Sequence, residues 1–265
     1  MNMRSLLVNL CVIVAISVST VAPALAADVT CWFPPKFSAA SAKRITDALG
    51  AKVPVQARIA QSYPEILEAF SAKGDNVAYV GSFVQAILSV KQQGVTLVQA
   101  VDGKEFYGAW MIYPKGGNPT AILSQSPTEI AFAKGASSGE SGAKAATEGK
   151  ATIATSSHDG TAAAVKSGKA KAGFVKNWWW EANKAKYPEL DVYRVPGVSD
   201  AKNPDNVLTA SRSLDAGIRN KLKAAALASA ASFDAKSMVE FNGDLSFTIS
   251  LMRKGKIDPA GYMFE

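Results

Sequence analysis

The sequence predicts an α/β protein of two lobes, each a mostly parallel β-sheet flanked by helices, with a hinged cleft between them. Three observations carry this expectation. Short apolar runs alternate with helical patterns along the chain. The alternation breaks twice, at Tyr113-Pro114-Lys115-Gly116-Gly117 and at Pro196-Gly197-Val198-Ser199-Asp200 followed by Asn203-Pro204, both turn-rich. The 265 residues, 48% hydrophobic and 19% charged, suffice for one large core or two smaller ones. The breaks give an expected first lobe of residues 27–112 plus 201–265 and a second lobe of 113–200.

The elements follow in order. Residues 1–26 form a signal peptide: Arg4 precedes an apolar run from Leu6 to Val21, and Ala24-Leu25-Ala26 offers a small-residue cleavage site. Asn9, Ser17, Ser19 and Thr20 interrupt the run, whereas a spanning helix needs about 20 apolar residues. Export to the periplasm with cleavage after Ala26 is expected, and Cys11 lies too far from that site to carry a lipid. Val29–Phe33 reads as a strand, 38–49 as a helix stopped by Gly50, 53–59 as a strand and 64–70 as a helix. A strand at 77–80 stops at Gly81-Ser82, and a helix follows over 83–91. The second set comprises strands at 130–133, 152–155 and 172–175 and helices at 138–147, 161–167 and 178–185. Residues 215–233 and 236–251 read as helices.

Several function classes are excluded by composition. A single histidine, His158, and a single cysteine in the mature chain, Cys31, leave little for a catalytic constellation, and no phosphate loop, nucleophile elbow or dinucleotide fingerprint occurs. No metal-ligand spacing exists, so neither enzyme activity, metal nor cofactor is expected. Cys31 has no disulfide partner and reads as a buried, inert thiol. The net charge of +7 favours encounter with anions. Nucleic acid is not expected, because the basic residues are spread along helices without a recognition motif.

In open α/β sheets, ligands bind outside the carboxyl ends of strands, beside helix starts. Ser82 stands at such an end. The richest loop is Lys134-Gly135-Ala136-Ser137-Ser138-Gly139-Glu140-Ser141-Gly142. Ser137 with Glu140 matches a capping box, and the small side chains of Ser137, Ser138, Gly139 and Ser141 are expected to leave backbone amides and hydroxyls open to an anion.

Here the sequence resembles the phosphonate-type substrate-binding proteins of ABC uptake transporters, over most of the mature chain. The resemblance rests on the Ile130-Ala131-Phe132 strand leading into Ala136-Ser137-Ser138-Gly139, on Ser157-His158 followed by Ala164-Val165-Lys166-Ser167-Gly168, and on Ser62-Tyr63. It implies a type II-like periplasmic binding protein fold, a monomer that hands a small anion to a transporter permease, and Ser137, Ser138, His158 and Tyr63 facing an oxyanion. A chaperone or redox partner on the same fold is the competing reading.

Two features separate this chain from a generic oxyanion binder. Glu140 beside the loop would repel a compact divalent anion. Trp178-Trp179-Trp180 fans out over a helix at about 100° per residue, and the aromatic set Trp32-Phe33-Pro34-Pro35-Lys36-Phe37 follows the first strand. These residues, with Lys36 and Lys176 supplying charge, are expected to wall a planar aromatic carboxylate such as a quinone-type cofactor. A phosphonate or phosphate ligand is the alternative.

Overall fold

The structure is a computed structural model that describes residues 29–205 and 207–262. The expected signal peptide, residues 1–26, lies outside the described residues, as does the side chain of Ser137. Among the described residues no helix is long and apolar enough to cross a membrane.

The chain starts as three strand-helix units: β1 (Val29–Phe33), α1 (Ala39–Gly50), β2 (Val55–Ile59), α2 (Tyr63–Ser71), β3 (Asn76–Val80) and α3 (Ser82–Val90). The Ser38 hydroxyl accepts from the Ser41 N–H and fixes the start of α1. Then follow β4 (Gly94–Val101), the short β5 (Phe106–Tyr107), β6 (Ala109–Pro114) and α4 (Pro119–Gln125). Next come β7 (Ile130–Ala133), a π-helical turn over Ser137–Ser141 that runs into α5 (Gly142–Ala146), β8 (Ile153–Thr155), α6 (His158–Lys166), β9 (Ala172–Lys176) and α7 (Asn177–Asn183). The chain closes with β10 (Leu190–Tyr193), the short β11 (Asn203–Pro204), β12 (Val207–Ser211), α8 (Ala216–Leu227), β13 (Ser237–Glu240) and α9 (Ser246–Lys254).

Two main sheets result. The first has the order β13-β4-β12-β3-β1-β2 and the second β10-β6-β9-β7-β8, while β5 and β11 pair with each other. The strand-helix units β2-β1-β3 and β8-β7-β9 are parallel. Antiparallel pairing enters where the chain passes between sheets, as β4, β6 and β12 turn back on their neighbours. β6 already belongs to the second sheet, so the outward crossing falls at Phe106–Gly108, ahead of Tyr113.

Each sheet is covered on both faces, because alternate residues point to opposite sides. Val29, Cys31 and Phe33 pack with Ile45, Leu49, Leu222 and Ala226 from α1 and α8. Ala78 and Val80 pack with Ile66, Phe70 and Ile87 from α2 and α3. In the second sheet, Met111 of β6 faces Ala143 of α5, while Trp110 and Ile112 face Ala162, Val165 and Trp180 from α6 and α7. Cys31 is a free thiol in the first core, and burial raises its pKa, which keeps it protonated.

Two elements depart from their expectations. Residues 236–251 do not form one helix: Ser237–Glu240 is a strand on the edge of the first sheet, and α9 starts only at Ser246. Gly243 between them has φ +80°, a left-handed conformation that ends any helix. The expected helix over 215–233 also stops at Leu227, and Ala230–Phe233 continues as a separate 3-10 turn.

Candidate ligand-binding site

The carboxyl ends of strands from both sheets meet at one cavity of about 210 Å³. From the first sheet, β1 leads to Pro34 and Phe37, α2 opens with Tyr63, β3 ends at Tyr79, Val80 and Gly81, and α3 supplies Phe83 and Val84. From the second, β7 leads to Gly135, Ala136 and Ser138, α6 opens with His158, and β9 ends at Lys176. Tyr107 and Asp205, beside the paired short strands, complete the wall.

His158 starts α6 because the Ser157 side chain accepts from the Gly160 N–H, at 3.1 Å, and turns the chain into the helix. Its Nε2 lies 3.4 Å from the Ser138 hydroxyl. The other face of the ring tilts against Trp179, with centroids 5.9 Å apart. Burial lowers the His158 pKa to about 4; the Lys176 charge adds to this, and Asp159 opposes it. The imidazole is therefore neutral near pH 7, and Nε2 donates or accepts toward Ser138 according to its tautomer. Burial first, then the Asp205 charge, pushes the Tyr63 phenol up to about 12. Tyr63 is thus a hydroxyl donor throughout the physiological range. Burial and Asp205 likewise raise Tyr79.

The loop after β7 is organised differently from the expected capping box. Glu140 is 3% exposed, and its Oε2 accepts from the Gly135 N–H at 2.8 Å and from the Tyr262 hydroxyl at 2.8 Å. Lys144 stands 3.8 Å from its other oxygen. The carboxylate is held inside by three groups, so it is an internal brace of the loop. The amides are also taken up: Ala136 donates to the Ala133 carbonyl, and Gly139 and Glu140 both donate to the Ala136 carbonyl. The amides of Gly135, Ala136, Gly139 and Glu140 are thus engaged within the loop.

Of the residues singled out from sequence, Tyr63, Ser138, His158 and Lys176 line the cavity, as do Pro34 and Phe37 of the aromatic set after β1. Others serve the frame. Ser82 is fully buried and bonds the Tyr107 hydroxyl at 2.7 Å, orienting that ring. Gly139 lies so close to β7 that a Cβ would stand 2.6 Å from the Ala133 carbonyl oxygen, which explains the glycine. Ser141 is buried inside the turn. Lys36 is exposed at φ +63° and does not line the cavity. The tryptophans do not line it either, because the helical fan sends each elsewhere. Trp178 donates to the Phe106 carbonyl, Trp179 lies between His158 and Tyr187, and Trp180 enters the core. Trp32 is also in the core, where its indole N–H donates to Asn76 at 2.8 Å.

Lys176 was expected to supply charge, but its partners in the wall, Asp205 and Tyr107, were missed. Lys176 forms an ion pair with Asp205, and its Nζ lies 4.6 Å from the centroid of the Tyr107 ring. Asp205 and Tyr107 sit in segments without a motif, so no local signal announces them. A larger groove of about 780 Å³, lined by Phe106, Val239, Phe241 and Phe247 among others, opens elsewhere, and none of the residues singled out from sequence borders it. Among the described residues, no cluster of histidine, cysteine or carboxylate side chains is placed to hold a metal ion.

No curated protein sequence matches this chain. Among solved structures, a Xanthomonas citri protein bound to ATP aligns with a TM-score of 0.69 at 12% identity, covering 87% of this chain and 98% of its own. A Prochlorococcus marinus protein in complex with methylphosphonate gives 0.64 at 15% identity, covering 86% and 98%. A binding protein component of an ABC phosphonate transporter from Pseudomonas aeruginosa also gives 0.64 at 15%, covering 86% and 88%. At such identities the likeness is one of fold. The family model for the periplasmic phosphonate-binding component of ABC transporters matches residues 38–248, most of the sequence. The chain belongs to this family of periplasmic substrate-binding proteins.

Proposed function

We propose that this protein captures a compact phosphonate-type oxyanion in the cleft and delivers it, as a monomer, to an ABC permease. One observation carries the reading: Tyr63 from one sheet and Ser138 and His158 from the other converge on a single cavity of about 210 Å³. All three offer neutral donors to an anion. The volume lies below the roughly 300 Å³ at which pockets for drug-sized ligands begin, which favours a tetrahedral anion over a multi-ring cofactor. The internal bracing of Glu140 points the same way, since its carboxylate is turned to Gly135, Tyr262 and Lys144 and does not line the cavity.

In this reading the ligand oxygens replace the long Ser138–His158 contact, and both groups turn to the anion. Calorimetry of the mature chain with methylphosphonate and with inorganic phosphate tests it. Ser138→Ala and His158→Ala are each expected to weaken binding by about 1.5–3 kcal/mol, the contribution of a hydrogen bond to a charged group. Failure of the wild type to bind either anion would refute the proposal.

A further inference from the structure

The cavity contains an ammonium group of its own. Lys176 Nζ is held by the Asp205 carboxylate and lies over the Tyr107 face, and all three residues line the same cavity as Ser138 and His158. A carboxylate beside an aromatic face is a receptor for a cation. The receptor is rigid: Ser82 bonds the Tyr107 hydroxyl, and the backbone of Asp205 donates to the Glu105 carbonyl and accepts from Gln99. The Asp205 side chain is only 9% exposed and that of Lys176 25%. The same charges reach the oxyanion end, since Asp205 raises Tyr63 and Lys176 lowers His158.

We propose that Lys176 is a specificity-determining residue that fills a built-in ammonium receptor formed by Asp205 and Tyr107, so that the cleft selects oxyanions without an amino group. This rests on the oxyanion reading of the cleft and names its substrate class: alkyl or inorganic oxyanions are accepted and aminoalkyl phosphonates rejected. A ligand ammonium would meet the Lys176 charge in a small cavity, and its natural partner carboxylate is already engaged.

The test has two independent arms. In the first, calorimetry compares methylphosphonate with 2-aminoethylphosphonate. The wild type is expected to prefer methylphosphonate by on the order of tenfold or more, and Lys176→Ala to gain on the order of tenfold for the aminoalkyl ligand, the effect of one charged hydrogen bond. Adding Asp205→Asn should remove that gain. In the second arm, melting of Lys176→Ala is followed with ethylammonium chloride against potassium chloride at equal ionic strength. Ethylammonium should raise the melting temperature of Lys176→Ala, while leaving the wild type and Lys176→Ala/Asp205→Asn unmoved. The double variant removes the unpaired carboxylate and serves as the control for folding. Equal wild-type affinity for the two phosphonates, or no stabilisation by ethylammonium in the single variant, overturns the inference. Absence of all phosphonate binding with ethylammonium rescue intact would instead refute the oxyanion reading and leave the ammonium receptor standing.

Discussion

Replacing Glu140 separates two opposite views of this residue. As a charge beside the binding loop it would repel an anion, and its removal would tighten binding. As the internal brace seen in the structure, its removal should do the reverse. Its carboxylate accepts one bond from Gly135 N–H and one from the Tyr262 hydroxyl, both at 2.8 Å. Each hydrogen bond to a charged group contributes about 1.5–3 kcal/mol. Truncation to alanine strands both donors but also relieves the desolvation of the carboxylate, so a net cost of about 2–4 kcal/mol is expected. Tyr262→Phe keeps the ring, which packs edge-on against Phe83, and loses one bond, costing about 1–2 kcal/mol. Urea unfolding of both single variants and the double closes a cycle whose coupling term should be at least about 1 kcal/mol. The loop that Glu140 braces carries Ser138, so Glu140→Ala should also weaken oxyanion binding by about tenfold. Unchanged stability together with tighter binding would refute the brace and restore the repelling charge.

Three further outcomes follow from the geometry. Gly139→Ala must push the π-helical turn off β7, because its Cβ meets backbone at 2.6 Å, and urea unfolding should show a loss of about 1–3 kcal/mol; wild-type stability would mean that the turn yields freely. The folded-state pKa of His158 is depressed to about 4 against an unfolded value near 6.5, so its contribution to stability is complete above about pH 6.5 and is lost as the pH falls towards 4. NMR titration of this single histidine checks the depression, and a midpoint near 6.5 in the folded protein would contradict it. Trp179 adjoins His158, so Trp179→Phe should abolish most of any ligand-induced fluorescence change, whereas Trp178→Phe and Trp180→Phe should leave affinity within about twofold; a tenfold loss in either would place an indole in the site.

The parts of the fold legible in the sequence were those with local punctuation. β1, β3 and α1 have clean apolar periods and definite stops, and Gly50 and Gly81 mark the ends read for α1 and β3. β4, β6 and β12 were passed over although β4 and β6 contain mostly apolar runs, residues 95–98 and 110–112. They follow or precede other strands without an intervening helix, since they are antiparallel segments at the crossings, and a reader expecting strand-helix alternation passes over them. The residues 236–251 were misread because the helical spacing of Phe247 and Leu251 was carried back over Ser237–Glu240, although Asn242-Gly243 marks a turn between them. At the site, Tyr63, Ser138 and His158 were legible through family resemblance. Lys176 was noticed only as a charge near the tryptophans, and its partners Asp205 and Tyr107 were invisible because the pairing is made by topology across two crossings.

The position of α9 constrains how the cleft can admit anything. Leu251 enters the core beneath the second sheet, while its neighbour Met252 enters the core beneath the first. Thr248 donates to Asn203 of the pairing between β5 and β11, and beyond the helix Gly255 approaches α5 so closely that a Cβ would stand 2.8 Å from Lys144. One short helix is thus seated in both halves of the molecule and on the strand that joins them. A motion that pulled the halves straight apart would tear one of these two side chains from its socket. A turn about an axis near α9 would leave both seated and shear them by little, while the loops at the far end of the sheets swing through a wider arc. A bulky substitution at Gly255 would press on Lys144 and Ala145 of α5, and so load this shared seat without touching any group that lines the cavity.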